Sequence, residues 1–114
     1  MLLRKIWEDG EPERPPEKLL VEREETEGIA LGYVSVKEGK STQMGLHDDE
    51  EEIFVVLKGK GILSVGNEEQ EVSPGSVAYI PRNRMHKVTC TSGEQLEYLY
   101  LANWPEQMNG KKGK

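Results

Sequence analysis

Cysteine occurs once, at Cys90, and histidine only twice, at His47 and His86. A single thiol excludes an intrachain disulfide and any cysteine-rich metal cluster, the usage expected in a reducing cytoplasm. Long hydrophobic runs are also missing. No stretch approaches the ~20 apolar residues that a membrane helix needs, and residues 1–7 meet charge too soon to form a signal peptide's apolar region. Positive charge is in deficit: 15 Lys and Arg against 21 Asp and Glu give a net charge of −6. That balance weighs against nonspecific binding to nucleic acid and to an anionic membrane surface. The basic end carrying Lys111, Lys112 and Lys114 does not reverse it and reads as a solvated tail. These absences predict a soluble, cytoplasmic protein with neither a nucleic-acid nor a membrane partner.

What is present is turn chemistry. The 114 residues make one domain with a single core, and 12 Gly and 6 Pro punctuate short apolar runs. Residues 1–17 read as an N-terminal arm and a proline-bearing linker, because Pro12, Pro15 and Pro16 remove backbone donors and bias their predecessors away from helix. Residues 18–24 read as a strand with imperfect alternation, or as a helical turn. Strands are expected over 29–36, 41–47, 52–57, 62–65, 70–72, 77–80, 85–91 and 96–101. The pair 62–65 and 70–72 forms a hairpin across residues 66–69. Residues 104–114 read as a loose tail. Many short strands at intervals of ~8–12 residues predict an all-β sandwich or barrel over residues 18–103.

Alternation along these strands assigns faces. Gln43, Gly45 and His47 share one face, Glu52 shares one with Phe54 and Val56, and His86 with Val88 and Cys90. Were His47, Glu52 and His86 to face one interior, two imidazoles and a carboxylate would hold a divalent metal in a mostly apolar cup. The four acids between His47 and Glu52 read as a solvated turn. Ile53, Val55 and Leu57 form a second apolar face on the same strand. They must be covered by another sheet, by the N-terminal arm or by another subunit, which predicts a homodimer.

Two stretches then carry a family resemblance. Gly39, five residues, Gly45, Leu46, His47, four residues, Glu52, six residues and Gly59 resemble the first motif of the cupin family, G-x5-H-x-H-x3/4-E-x6-G. Gly75, five residues, Pro81, Arg82, Asn83, two residues and His86 resemble the second, G-x5-P-x-G-x2-H-x3-N. Together they cover nearly half the chain, in order and at the family's spacing. The resemblance, to small single-domain cupins of the cupin_2 type, implies a double-stranded β-helix, or jelly-roll, barrel. It also implies that His47, Glu52 and His86 are three metal ligands. Three departures stand out. Gly45 occupies the position of the first metal-binding histidine, Asn83 replaces a glycine and Cys90 replaces the last asparagine. Asn83 is a mild change because asparagine tolerates left-handed backbone.

Two histidines and a carboxylate suit Fe(II), Mn(II), Ni(II), Zn(II) or Cu(II). Gln43 is a possible fourth donor, with water as the alternative. Glu52 is also a candidate base. Phe54, Arg82, Arg84 and Cys90 are candidates for contacting a substrate. In the cupin arrangement the two arginines sit near the barrel mouth and could grip a carboxylate or phosphate. Cys90 otherwise reads as a small buried hydrophobe, with thiolate chemistry as the sharper alternative. The tyrosines read as packing, and Trp7 and Trp104 as packing against the chain ends or a dimer partner. Two functions of different class remain. One is a metal-dependent enzyme of dioxygenase, isomerase, decarboxylase or lyase type acting on a small polar molecule, its metal a Lewis acid or a site for O2. The other is a non-catalytic module that binds or senses a small polar ligand without metal.

Overall fold

A computed structural model describes residues 1–7 and 15–105. Eight strands account for most of the fold: β1 Glu17–Val21, β2 Ile29–Val36, β3 Glu51–Lys58, β4 Gly61–Val65, β5 Glu68–Val72, β6 Val77–Ile80, β7 His86–Cys90 and β8 Leu96–Asn103. They form a five-stranded sheet in the order β1-β2-β8-β3-β6 and a three-stranded sheet in the order β5-β4-β7. Every strand pair is antiparallel. The expected all-β jelly-roll is present.

The core lies between the sheets because each strand turns alternate side chains inward. Phe54 and Val56 of β3, Leu63 of β4, Val88 and Cys90 of β7, and Tyr98 of β8 are all buried there. The register places Tyr98 opposite Val56 and Tyr100 opposite Phe54. Tyr100 also lies opposite Gly32 of β2. A β-carbon at position 32 would overlap the Tyr100 ring, so only glycine lets that ring lie across the strand.

Several boundaries move. Residues 18–24 divide into β1 and a 3-10 turn over Arg23–Glu25, so both readings of that stretch contribute. Residues 41–47 do not form the expected continuous strand. They track β7 through two isolated bridges, Ser41 with Thr89 and Gly45 with His86. Between the bridges the Thr42 hydroxyl, and not a carbonyl, accepts the Val88 amide at 3.0 Å, which interrupts the backbone ladder. The hairpin tightens to a two-residue turn at Gly66 and Asn67, Gly66 having φ 58°. Trp104 is buried against Ala30 and Ala102 and does not begin a loose tail. The rest of the expected tail, 106–114, and residues 8–14 of the linker lie outside the described residues.

The N-terminal arm is tied down. Arg4 donates two hydrogen bonds of 2.7 Å to the Glu25 carboxylate and a third, of 2.8 Å, to the Leu20 carbonyl. Trp7 meets Tyr33 edge-on with ring centroids 6.1 Å apart, covering part of the outer face of the large sheet. The arm leaves the rest open. Ile53 keeps 38% of its surface exposed, Leu57 39%, Tyr79 59% and Val77 68%. Tyr79 and Ile53 are cross-strand partners, as are Val77 and Val55, so these side chains form one contiguous apolar patch.

Candidate metal centre

Each member of the His47, Glu52 and His86 set is held by a different backbone device. Glu52 lies on β3 between Ile80 and Ala102, and Ala102 pairs in turn with Ala30. The two alanines leave room on the inner face beside the carboxyl. His86 begins β7 and exchanges both backbone hydrogen bonds with Gly45, each 2.9 Å. His47 follows two residues later. Its carbonyl accepts the Asn83 amide at 2.8 Å, which joins the turn of the second motif to the first. Asn83 has φ 64°, the left-handed conformation that its motif's glycine would supply.

The three side chains converge. One donor atom from each lies within 4.8 Å of the others. The imidazole centroids are 5.4 Å apart, and Phe54 stands edge-on to His86 at 5.9 Å. Position 45 faces the same point: a β-carbon there would sit 3.2 Å from His86 Nε2 and 3.7 Å from His47 Nε2. The gap left by Gly45 therefore opens directly onto the imidazoles.

Electrostatics sharpen the geometry. Glu52 is only 7% exposed, and its Oε1 is buried with no hydrogen-bond partner. Burial, reinforced by a hydrogen bond and charge repulsion from Glu50, pushes the Glu52 carboxyl up to about 8. Burial lowers His86, which has Nδ1 3.3 Å from the Arg84 carbonyl. With that nitrogen protonated, Nε2 turns a free lone pair toward Glu52, able to accept a hydrogen bond or bind a cation. His86 Nε2 and Glu52 Oε1 are 3.4 Å apart. That contact is not an ion pair at neutral pH, because burial disfavours the charged form of both groups. Two imidazole nitrogens and an oxygen without a partner fit a divalent transition cation, which would replace the proton on Glu52.

The triad opens into a cleft of about 1040 Å³ between the sheets, lined also by Phe54, Gln43, Glu50, Tyr98 and Tyr100. Gln43 thus lines the same cleft as the three donors. The other substrate-contact candidates fall elsewhere. Arg84 is exposed, its guanidinium 3.3 Å from the Asn83 carbonyl. Arg82 stands where its charge acts on Glu51 and Tyr79, which bond to each other beside the outer face. Neither arginine lines the cleft. Cys90 faces the interior, but its thiol lies 3.3 Å from the Glu94 carbonyl, among core side chains.

Sequence reasoning missed Glu50, Tyr98 and Tyr100 as cleft residues. The two-residue period that links Glu52 to Phe54 also reaches back to Glu50, so that signal was available. The tyrosines needed the β3–β8 register, which sequence does not display.

A model of the Cupin domain matches residues 32–102. The chain belongs to the cupin family. An uncharacterized protein of Streptomyces coelicolor is 30% identical over 78 residues, 68% of this chain and 72% of that protein. Another, from Methanocaldococcus jannaschii, is 36% identical over 59 residues, 52% of this chain but only 47% of its relative. Among solved structures, a predicted oxalate decarboxylase from Thermotoga maritima superposes with a TM-score of 0.71 at 20% identity, covering 77% of this chain and 78% of the other. A cupin 2 domain-containing protein from Halorhodospira halophila gives the same score at 21% identity, covering 83% and 67%. At these identities the structures establish the shared fold. In this cupin no helix among the described residues is long and apolar enough to cross a membrane.

The raised Glu52 carboxyl has a measurable consequence. A folded-state value of about 8 above an unfolded value near 4.5 costs this cupin stability as pH rises between the two. With a chelator present, Glu52→Gln is expected to melt several degrees above the wild type at pH 8. The difference should shrink toward zero near pH 4, as thermal melts across that range will show. A constant difference would mean that Glu52 is already ionised in the folded protein.

Proposed function

We propose that this cupin binds one divalent transition metal (Fe, Mn, Ni, Zn or Cu) through His47, Glu52 and His86, and uses it as an enzyme on a small polar molecule. The observation that carries the reading is the buried, unpartnered Oε1 of Glu52, packed within 4.8 Å of two imidazole donors. A buried carboxyl oxygen without a partner is costly, and a cation meeting all three groups would offset that cost. When bound, the ion supplies Lewis acidity toward a substrate oxygen.

The protein's own groups supply the rest. Phe54 and Tyr98 form an apolar wall that limits water beside the donors. Tyr100, half-buried, has its hydroxyl held protonated by burial and by nearby carboxylates, so it is a hydrogen-bond donor to a polar ligand. Glu52, freed of its proton and not fully engaged by the ion, is positioned as a base. Dioxygenase, isomerase and lyase chemistries all fit this set, and a neighbour described as a predicted oxalate decarboxylase lends one example. The second reading, a metal-free cupin that binds or senses a small polar ligand, draws on Gly45, which leaves three donors where the family motif has four. We place either activity in the cytoplasm, on the strength of the single buried thiol.

Protein purified without chelator is expected to carry about one metal per chain by elemental analysis, and His47→Ala and His86→Ala at least ~10-fold less. Equal, negligible metal in all three proteins would contradict the metal reading and favour the ligand-binding one.

We further propose that two copies pair through the outer patch of Ile53, Val77 and Tyr79. Light scattering at micromolar concentration should give twice the chain mass for the wild type and the chain mass for Ile53→Lys with Val77→Lys. A monomeric wild type would contradict the pairing.

A further inference from the structure

Of the arginines among the described residues, only Arg23 lines the cleft that His47, Glu52 and His86 share. Its place is set by the 3-10 turn that it begins. Glu25 closes that turn with a carboxylate that accepts the Glu22 amide at 3.0 Å and two bonds from Arg4. With three residues to each 3-10 turn, side chains two apart point to different sides. Glu25 faces the N-terminal arm. Arg23 faces the cleft, its Cζ 4.4 Å from the centre of the Trp104 ring.

Stacking occupies the face of a guanidinium and leaves the N–H edge for a planar acceptor. Arg4 commits its edge to Glu25 and to the Leu20 carbonyl. Among the described residues no carboxylate pairs with Arg23. The ring beneath it is fixed, because Trp104 is buried with Ala30 and Ala102. Ala102 is the cross-strand partner of Glu52. Trp104 follows Ala102 by two residues, about 7 Å along an extended chain. Arg23 thus stands one such step from the donor group, along the same wall. Glu22 and Glu24 also reach the cleft, but they are exposed and water screens their charge. They do not cancel a short, bidentate contact to Arg23.

We propose that Arg23, held on Trp104, grips an oxyanion group of the ligand, a carboxylate or a phosphate, while another polar group of that ligand meets the ion at His47, Glu52 and His86. The proposal rests on the reading of this cleft as a small-molecule site and narrows the ligand to small anions. The role expected of Arg82 and Arg84 falls instead to an arginine inside the cleft.

The test uses the full chain, loaded with Zn(II) and separately stripped of metal, titrated with succinate or with inorganic phosphate. Calorimetry gives the affinity, and nitrogen-15 NMR follows the two indole signals. Saturable binding should move the Trp104 signal and leave that of Trp7 in place, by succinate for a carboxylate ligand and by phosphate for a phosphorylated one. Arg23→Gln is expected to weaken binding by ~10–100-fold. Arg23→Lys, which keeps the charge and the ring contact but loses the fork, should bind more tightly than Arg23→Gln. Arg84→Gln removes the same charge outside the cleft and should leave affinity unchanged. Binding of neither anion, or equal affinity in wild type and Arg23→Gln, would overturn the assignment while Zn(II) retention upheld the metal site. Equal losses in Arg23→Gln and Arg84→Gln would overturn it as well, by showing a general charge effect. Binding that depends on Arg23 in a protein that retains no Zn(II) would support Arg23's role and contradict the metal reading alone.

Discussion

The desolvated carboxyl of Glu52 is the constraint on which the site depends. A carboxyl group in water needs no explanation, but one buried between two sheets with an unpartnered oxygen does. Its neighbours do not relieve it. His86 is held neutral by burial, and Glu50 adds a second acid to the same space. The surrounding β-sandwich spends packing stability to hold a group that an apolar residue would replace at lower cost. A cation would resolve the conflict, and the donor types on either side suit a transition metal.

The architecture delivers these groups through backbone contacts and not through a single loop. Gly45 and His86 exchange both main-chain hydrogen bonds, so the irregular segment before β3 and the start of β7 are fixed against each other. The Asn83 amide clamps the His47 carbonyl from the turn preceding β7. Glu52 comes from the opposite sheet, on a strand paired on both sides. Donors from both sheets are therefore set by strand register, which gives a site on rigid elements the precision that metal geometry demands. Ala30 and Ala102 keep the inner face low beside it, and both line the cleft.

Much of this was legible in residue order. Period-two alternation put Glu52 with Phe54 and His86 with Val88, and the motif spacing placed His47 beside them. Asn83 in place of glycine read correctly as a left-handed position, at φ 64°. Segment 41–47 was less transparent, because a side-chain hydroxyl replaces a carbonyl in its ladder, a substitution that propensity does not register. Arg82 and Arg84 illustrate a second limit. Sequence places a charged residue on a turn, but the direction of its side chain depends on the groups that the fold brings beside that turn. Tyr98 and Tyr100 depend likewise on cross-strand register. Only Glu50 was within reach of alternation alone and was lost to the appearance of a solvated acidic run.

The central claim is that the buried carboxyl and the two imidazoles share one ion. An anomalous difference map from crystals of the metal-loaded protein tests it most directly. The account predicts one strong peak at about 2.0–2.2 Å from a nitrogen of His47, an oxygen of Glu52 and Nε2 of His86. A map with no peak in the cleft, or with its peak on the exposed acids Asp48 and Asp49, would contradict it.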